Sequence, residues 1–88
     1  MKILVDKSFE RDVKRLPIQV QKLLKEITQK LSAAYSLGET NSSKMEGAKN
    51  AYRIRFGNYR VGFYLESDAI ILSRVLDRKE IYRYFPKK

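Results

Sequence analysis

The hydrophobic positions along the chain change period twice, and each change predicts a new kind of element. Residues 2–5 (KILV) read as a short strand, with Ile3 and Val5 on one face and Leu4 on the other. A helical spacing follows. Phe9, Val13 and Leu16 form one stripe of a first helix, with Asp6 or Ser8 available to cap its start. Pro17 interrupts that stripe and suits the first turn of a second helix. The second helix is predicted to run to about Tyr35, with Val20, Leu24, Ile27, Leu31 and Ala34 at 4-3-4-3 spacing. The same spacing is compatible with a coiled-coil seam, but a helical hairpin folded onto a sheet is the preferred reading. Residues 37–50 (LGETNSSKMEGAKN) are polar and contain glycine, so a loop is expected.

From residue 51 the period drops to two. AYRIRFGNYRVGFYL predicts two antiparallel strands joined at Gly57-Asn58. In that register Arg53 faces Gly62, Arg55 faces Arg60 and Phe56 faces Tyr59. Tyr52, Ile54, Phe56, Tyr59, Val61, Phe63 and Leu65 then share one face, and Arg53, Arg55 and Arg60 share the other. A turn at residues 66–68 leads into AIILSRVL, residues 69–76, an apolar run expected of a central strand covered on both faces. The tail DRKEIYRYFPKK is expected to form one helical turn or irregular structure ended by Pro86. The fold class is therefore α+β, a single domain over residues 1–88. It comprises an N-terminal strand, a helical hairpin, an antiparallel β-sheet meander and a short C-terminal helix or tail.

Like charges placed directly opposite each other destabilise a sheet, so the three hairpin arginines call for an anionic partner. The remainder of the composition agrees. The net charge is +9, and the two halves of the chain differ in the type of cation. Residues 1–50 carry 8 Lys and 2 Arg, whereas residues 51–88 carry 3 Lys and 6 Arg. Lysine is a solvated point charge, while arginine offers a planar fork that grips phosphate through two hydrogen bonds. Nucleic acid is the expected polyanion, ahead of a membrane surface, because no basic amphipathic anchor and no membrane-spanning stretch is evident. A merely solvated basic surface is the plainer alternative. With no signal peptide in the reading either, the expected location is cytoplasmic.

Cysteine and histidine are both absent. That removes disulfides, thiol nucleophiles, the commonest metal ligands and the commonest acid–base group. The acidic residues are scattered, so neither a metal site nor a cofactor is expected. RNA cleavage survives this exclusion, because the ribose 2′-hydroxyl supplies its own nucleophile. The protein need only align it, neutralise phosphate charge and move two protons. Arg53, Arg55 and Arg60 are candidates for the charge role, joined by Arg74 and Arg78 from the next strand and its end. Tyr82, in RKEIYRY, is the candidate proton donor. Lys79 and Arg83 are candidate RNA contacts, and the neighbouring aromatics suit base stacking. Gly62 opposite Arg53 either relieves packing or leaves room for a ligand backbone.

The order of elements, MEG before the sheet, YRIRFGNYRVGFY and the closing RVLDRKEIYRYF resemble the RelE branch of the RelE/ParE toxin superfamily, over essentially the whole chain. The resemblance implies a small microbial toxin that enters the ribosomal A site and cleaves mRNA there. It also implies a RelB-like antitoxin that wraps the toxin and blocks it. Carried over by position, Arg53 and Arg55 match a pair that is often lysine, Arg60 the phosphate-binding arginine of the hairpin, Arg78 the late arginine and Tyr82 the C-terminal tyrosine. The late arginine is loosely spaced, so Arg74 remains an alternative to Arg78. Lysine can lose a proton and arginine effectively cannot, which leaves the general base open. A ParE-like toxin that inhibits DNA gyrase without catalysis, or a plain RNA-binding module, are the competing functions.

Overall fold

The alternating segment forms the middle of a five-stranded sheet. The computed structural model describes residues 1–87; residue 88, the end of the expected domain, lies outside the described residues. In chain order the elements are β1 (Lys2–Val5), α1 (Lys7–Lys14), α2 (Ile18–Ala33), a 3-10 turn (Leu37–Glu39), β2 (Ser42–Lys44), β3 (Ala51–Phe56), β4 (Tyr59–Glu66), β5 (Ala69–Asp77) and α3 (Ile81–Tyr84). The strands lie in the order β1-β5-β4-β3-β2. The α+β class and the helical hairpin are as expected.

The β3–β4 register is also the expected one, with Arg55 opposite Arg60 and Arg53 opposite Gly62. Gly57 sits at φ 57°, a left-handed value that the first position of this two-residue turn accepts in glycine without strain.

Three features differ from the sequence reading. The segment 37–50 is not wholly a loop: Ser42–Lys44 pairs antiparallel with residues 52–54 and adds an edge strand. Three polar residues carry no hydrophobic alternation, so nothing in the pattern announced them. The sheet is mixed rather than a pure meander, because β1 pairs parallel with β5, Lys2 to Val5 lying opposite Ala69 to Leu72. Finally, α2 ends at Ala33, two residues before Tyr35, which is fully solvent-facing.

Pairing between β4 and β5 is offset once, between Gly62 and Phe63, so that Ser73 is the extra residue of a bulge. Its effect is on facing. Leu72 and Val75 are three apart and strict alternation would turn one of them away, yet both are buried in the main core. That core packs Phe9, Leu16, Leu24 and Leu31 of the helical layer against Ile54, Val61, Phe63, Ile70, Leu72 and Val75 of the sheet.

β1 stops at Val5, leaving the rest of the β5 edge without a strand partner. Helix α1 takes its place. Ser8 Oγ donates to the Ser73 carbonyl at 2.7 Å, and Asp12 Oδ2 accepts the Val75 N–H at 3.1 Å. Ser8 and Asp12 are one helical turn apart, so a single helix face satisfies backbone groups that would otherwise be orphaned.

The arginine face does look away from the main core, but it carries a second one. Ile81 and Phe85, from α3 and the residue after it, pack with Met45 and Ala51 and against Tyr64 and Leu76. The Phe85 ring lies on Gly62: a Cβ at position 62 would stand 2.5 Å from Phe85 Cδ2. The space beside Arg53 that the sequence offered to a ligand backbone is therefore filled by the protein's own phenyl ring.

Gly62→Ala should destabilise the protein by about 2 kcal/mol through overpacking, and the cost should nearly vanish in a Phe85→Ala background. Urea denaturation of the two single variants and the double variant measures this coupling; additive losses would mean the Phe85 ring does not constrain residue 62.

Candidate active site

Alternation along the three central strands sets the site. Arg53, Gly62 and Arg74 form one row across β3, β4 and β5, and Arg55, Arg60 and Leu76 form the next. Neighbouring strands are about 4.8 Å apart and successive rows about 7 Å, so four cations start from one small area of sheet. The C-terminal turn then lies on the same face. Ile81 and Phe85 anchor it, and the residues between them look outward to either side of the phenyl ring.

On one side, Arg53 Nη1 donates to Tyr82 Oη at 2.8 Å, with the guanidinium carbon 5.7 Å from the ring centroid. The pair lines a cavity of about 460 Å³ together with Lys44, Glu46, Gly47 and Phe85. Tyr82 is half exposed, 48%. The Nε atoms of Arg53 and Arg60 are buried without a hydrogen-bond partner, and an unmade donor of this kind costs free energy.

At the turn end of the hairpin, Arg60 Nη1 donates to the carbonyls of Gly57 at 3.0 Å and Tyr59 at 2.8 Å. Arg55 is exposed opposite it. The Arg78 N–H donates to the Asn58 carbonyl at 2.8 Å, which brings the end of β5 beside the same turn with the Arg78 side chain exposed. Arg55, Arg60 and Arg78 are thus gathered at one end, and Arg53 with Tyr82 one row away.

Lys79 and Arg83 are exposed on the turn that follows; Arg83 is 4.0 Å from Glu80, an exposed pair of little energetic weight.

Arg74 is placed differently from the others. Its Nε donates to Asp12 Oδ2 at 2.7 Å and its Nη2 to Oδ1 at 3.1 Å, a two-pronged pair with a carboxylate that is only 4% exposed. That hydrogen bond is the main reason the guanidinium holds its proton even more firmly than usual; partial burial opposes it. Its other side lies 5.1 Å from the Tyr84 ring centroid. Of the two late arginines, Arg78 is the unencumbered one, and Arg74 is tied into the structure.

Two groups of functional interest went unread in the sequence. Asp12 was visible in principle: Phe9, Asp12, Val13 and Leu16 follow i, i+3, i+4, i+7 spacing, so a carboxylate sits in the inward stripe. Lys44 and Glu46 carried no such signal, because their place on the cavity wall depends on the unforeseen β2.

A profile of the family described as the ParE toxin of the type II toxin–antitoxin system parDE matches residues 3–82. Toxin RelE3 of Methanocaldococcus jannaschii is 43% identical over 88 residues, covering 98% of this chain and all of that protein. This chain belongs to the RelE/ParE superfamily of type II toxins.

The toxin superposes on the crystal structure of a RelB-RelE antitoxin-toxin complex from Methanococcus jannaschii with a TM-score of 0.80 at 42% identity, over 94% of this chain and 99% of that one. The fold is shared more widely. The archaeal RelE-RelB complex of Pyrococcus horikoshii OT3 gives a TM-score of 0.71 at 21% identity, over 88% of the toxin and 93% of that chain. The isolated E. coli RelE toxin gives 0.67 at 18%, over 93% and 90%. Among the described residues, no helix is long and apolar enough to cross a membrane.

Asp12→Ala should cost about 3 kcal/mol, because it strips a partly buried guanidinium of its partner and leaves the Val75 N–H unsatisfied. Asp12→Asn, which keeps an acceptor, should cost less. Chemical denaturation of both variants checks the order; equal stability of Asp12→Ala and the parent would show that the β5 edge does not depend on α1.

Proposed function

We propose that this toxin cleaves messenger RNA in the ribosomal A site and is held inactive by a RelB-like antitoxin. The observation that supports this most directly is the Arg53–Tyr82 pair on the wall of an open cavity, one sheet row from Arg60. A phosphodiester seated there meets fixed positive charge on one side and a phenol on the other. Action at the ribosome implies a cytoplasmic protein.

The chemistry proceeds as follows. The 2′-hydroxyl attacks the adjacent phosphorus and gives up its proton to a base. Negative charge builds on the nonbridging oxygens, where Arg53, Arg55, Arg60 and Arg78 stabilise it. The bond to the 5′-oxygen breaks, and Tyr82 protonates the leaving oxygen, giving a 2′,3′-cyclic phosphate and a 5′-hydroxyl. Arginine does not serve as the base, since a guanidinium effectively never gives up its proton in water. On the cavity wall Glu46 is the carboxylate suited to accept the proton. In the resting state Arg53 spends a hydrogen bond on Tyr82 while its Nε goes unpartnered. Substrate phosphate offers the guanidinium an anionic acceptor in place of a neutral one, while the phenol, which only accepts from Arg53, keeps its O–H free to donate to the leaving oxygen.

Induced expression followed by primer extension on a defined message tests the activity. Codon-phased 5′ ends support cleavage at the ribosome; broken DNA with intact message would instead place the chain with ParE-like gyrase inhibitors. Arg60→Ala should lower cleavage by about 10²- to 10³-fold. It should also cost about 1 kcal/mol of stability through the two turn carbonyls it leaves. Tyr82→Ala should abolish cleavage. Tyr82→Phe separates the roles, since retained activity assigns stacking to Tyr82 and removes it as the acid.

The antitoxin is expected to bind chiefly by apolar burial along a wrapped segment rather than by occupying the arginines. Calorimetric titration with the cognate antitoxin should give an affinity within about tenfold of the parent for Arg55→Ala/Arg60→Ala, because exposed charge pairs contribute little each. A much larger loss would mean that the antitoxin works by filling the site.

A further inference from the structure

The Arg53–Tyr82 cavity leaves a second cluster of cations unused, on the far side of the Phe85 ridge. Arg11 lies in the last turn of α1 and Arg15 is its C-cap, one helical turn on. Neither has a hydrogen-bond or ion-pair partner for its side chain among the described residues. Both line a small polar cavity of about 170 Å³ with Ser8, Asp12 and Arg74. Three guanidiniums therefore line one cavity with a single carboxylate, which already accepts three hydrogen bonds from Arg74 and the Val75 N–H. Arg74 retains its Nη1 donor. The notch carries uncompensated positive charge on a rigid base.

An aromatic surface adjoins it. Tyr84 is 52% exposed with its ring against the Arg74 guanidinium. A further cavity of about 340 Å³, lined by Ser8, Tyr64, Ser73, Arg74 and Tyr84, shares Ser8 and Arg74 with the notch. Cations at a helix C-terminus also complement the helix dipole. That role needs charge alone, and Lys14 in the same turn supplies it. It accounts neither for two arginines converging with a third on one cavity nor for the exposed tyrosine beside them.

We propose that Arg11, Arg15 and Arg74 form a phosphate-binding notch for single-stranded RNA, with the base of the bound nucleotide stacked on Tyr84. The proposal rests on the reading of this chain as an RNA-cleaving toxin for the identity of the polymer. It adds a second subsite at a defined separation. Arg53 and Arg74 are two strand spacings apart, about 10 Å, which matches the rise of about three stacked nucleotides. An RNA strand engaged at both sites crosses over Phe85, and the notch holds it two to three nucleotides from the cavity.

The test is equilibrium binding to two probes: a 2′-O-methylated 12-nucleotide RNA, which has no nucleophile to be cleaved, and vacant ribosomes. Arg11→Gln/Arg15→Gln, which keeps most of each stem, should bind at least one probe about tenfold more weakly. Its slope of log affinity against log salt should be shallower by about 0.7 for each phosphate that is no longer neutralised. Tyr84→Ala should lose about tenfold with the slope unchanged, and Tyr84→Phe should match the parent. Circular dichroism and melting curves confirm that each variant is folded, and Arg11→Lys/Arg15→Lys, with the charge kept, should recover most of the salt slope.

Weaker binding of the oligomer assigns the notch to the message; weaker binding of ribosomes alone assigns it to the ribosomal RNA backbone. Unchanged affinity and slope for both probes overturn the proposal, as does a double variant that loses only its affinity for an acidic antitoxin peptide. Arg53→Ala separates the two levels of inference. If it weakens RNA binding and the notch variant does not, the notch alone falls; if the parent binds neither probe, the proposed function falls with it.

Discussion

Phe85 can lie on the sheet only because residue 62 has no side chain. The rest of the arginine face is arranged around that contact. The ring fills the middle of a row that has Arg53 on one side and Arg74 on the other, so the two guanidiniums are held apart by hydrocarbon. Burying Phe85 together with Ile81 fixes the short turn between them. A four-residue helix has almost no stability of its own; here it is held by its two ends. Tyr82 and Tyr84 gain defined positions as a by-product, each against the arginine on its own side. A phenol placed by a fixed backbone is better aligned than one on a free tail.

The helix layer makes the complementary contribution. β5 pairs with β1 over its first half and with side chains of α1 over its second. Asp12 does three things there: it satisfies a backbone N–H, holds Arg74 in a two-pronged bond, and keeps that arginine out of the pool of mobile cations. A charge buried to this degree is stable only because it is paired and hydrogen-bonded, here by three donors.

Much of this was legible beforehand. Period-two alternation with a Gly-Asn turn gave the hairpin register residue by residue, and period 3.6 gave both helices, since these patterns reflect which side of an element meets the core. The pattern also separated the arginines from the apolar face. What the sequence concealed were features that depend on distant partners. Ser42–Lys44 is a strand because β3 offers it an edge, not because of its own composition. The bulge at Ser73 and the seating of Phe85 on Gly62 are agreements between residues many positions apart. Arg74 reads like the other cations because nothing local reveals a carboxylate 62 residues earlier. Asp12 could have been suspected, as an acid in the inward stripe of an amphipathic helix. Lys44 and Glu46 could not.

The pairing of Arg55 with Arg60 has a thermodynamic side. Two guanidiniums directly opposite each other on adjacent strands raise the free energy of the native state, and the native state alone. Anything that neutralises them only when the protein is folded acts as a folding ligand: at a concentration one hundred times its dissociation constant it adds about 2.7 kcal/mol of stability. The free form is therefore the least stable form of this molecule. Polyanion or acidic protein, a bound partner shifts the balance away from the unfolded chain, and with it the exposure to proteolysis. The electrostatic tension that suits the surface to an anionic partner also shortens the life of the protein when it is alone.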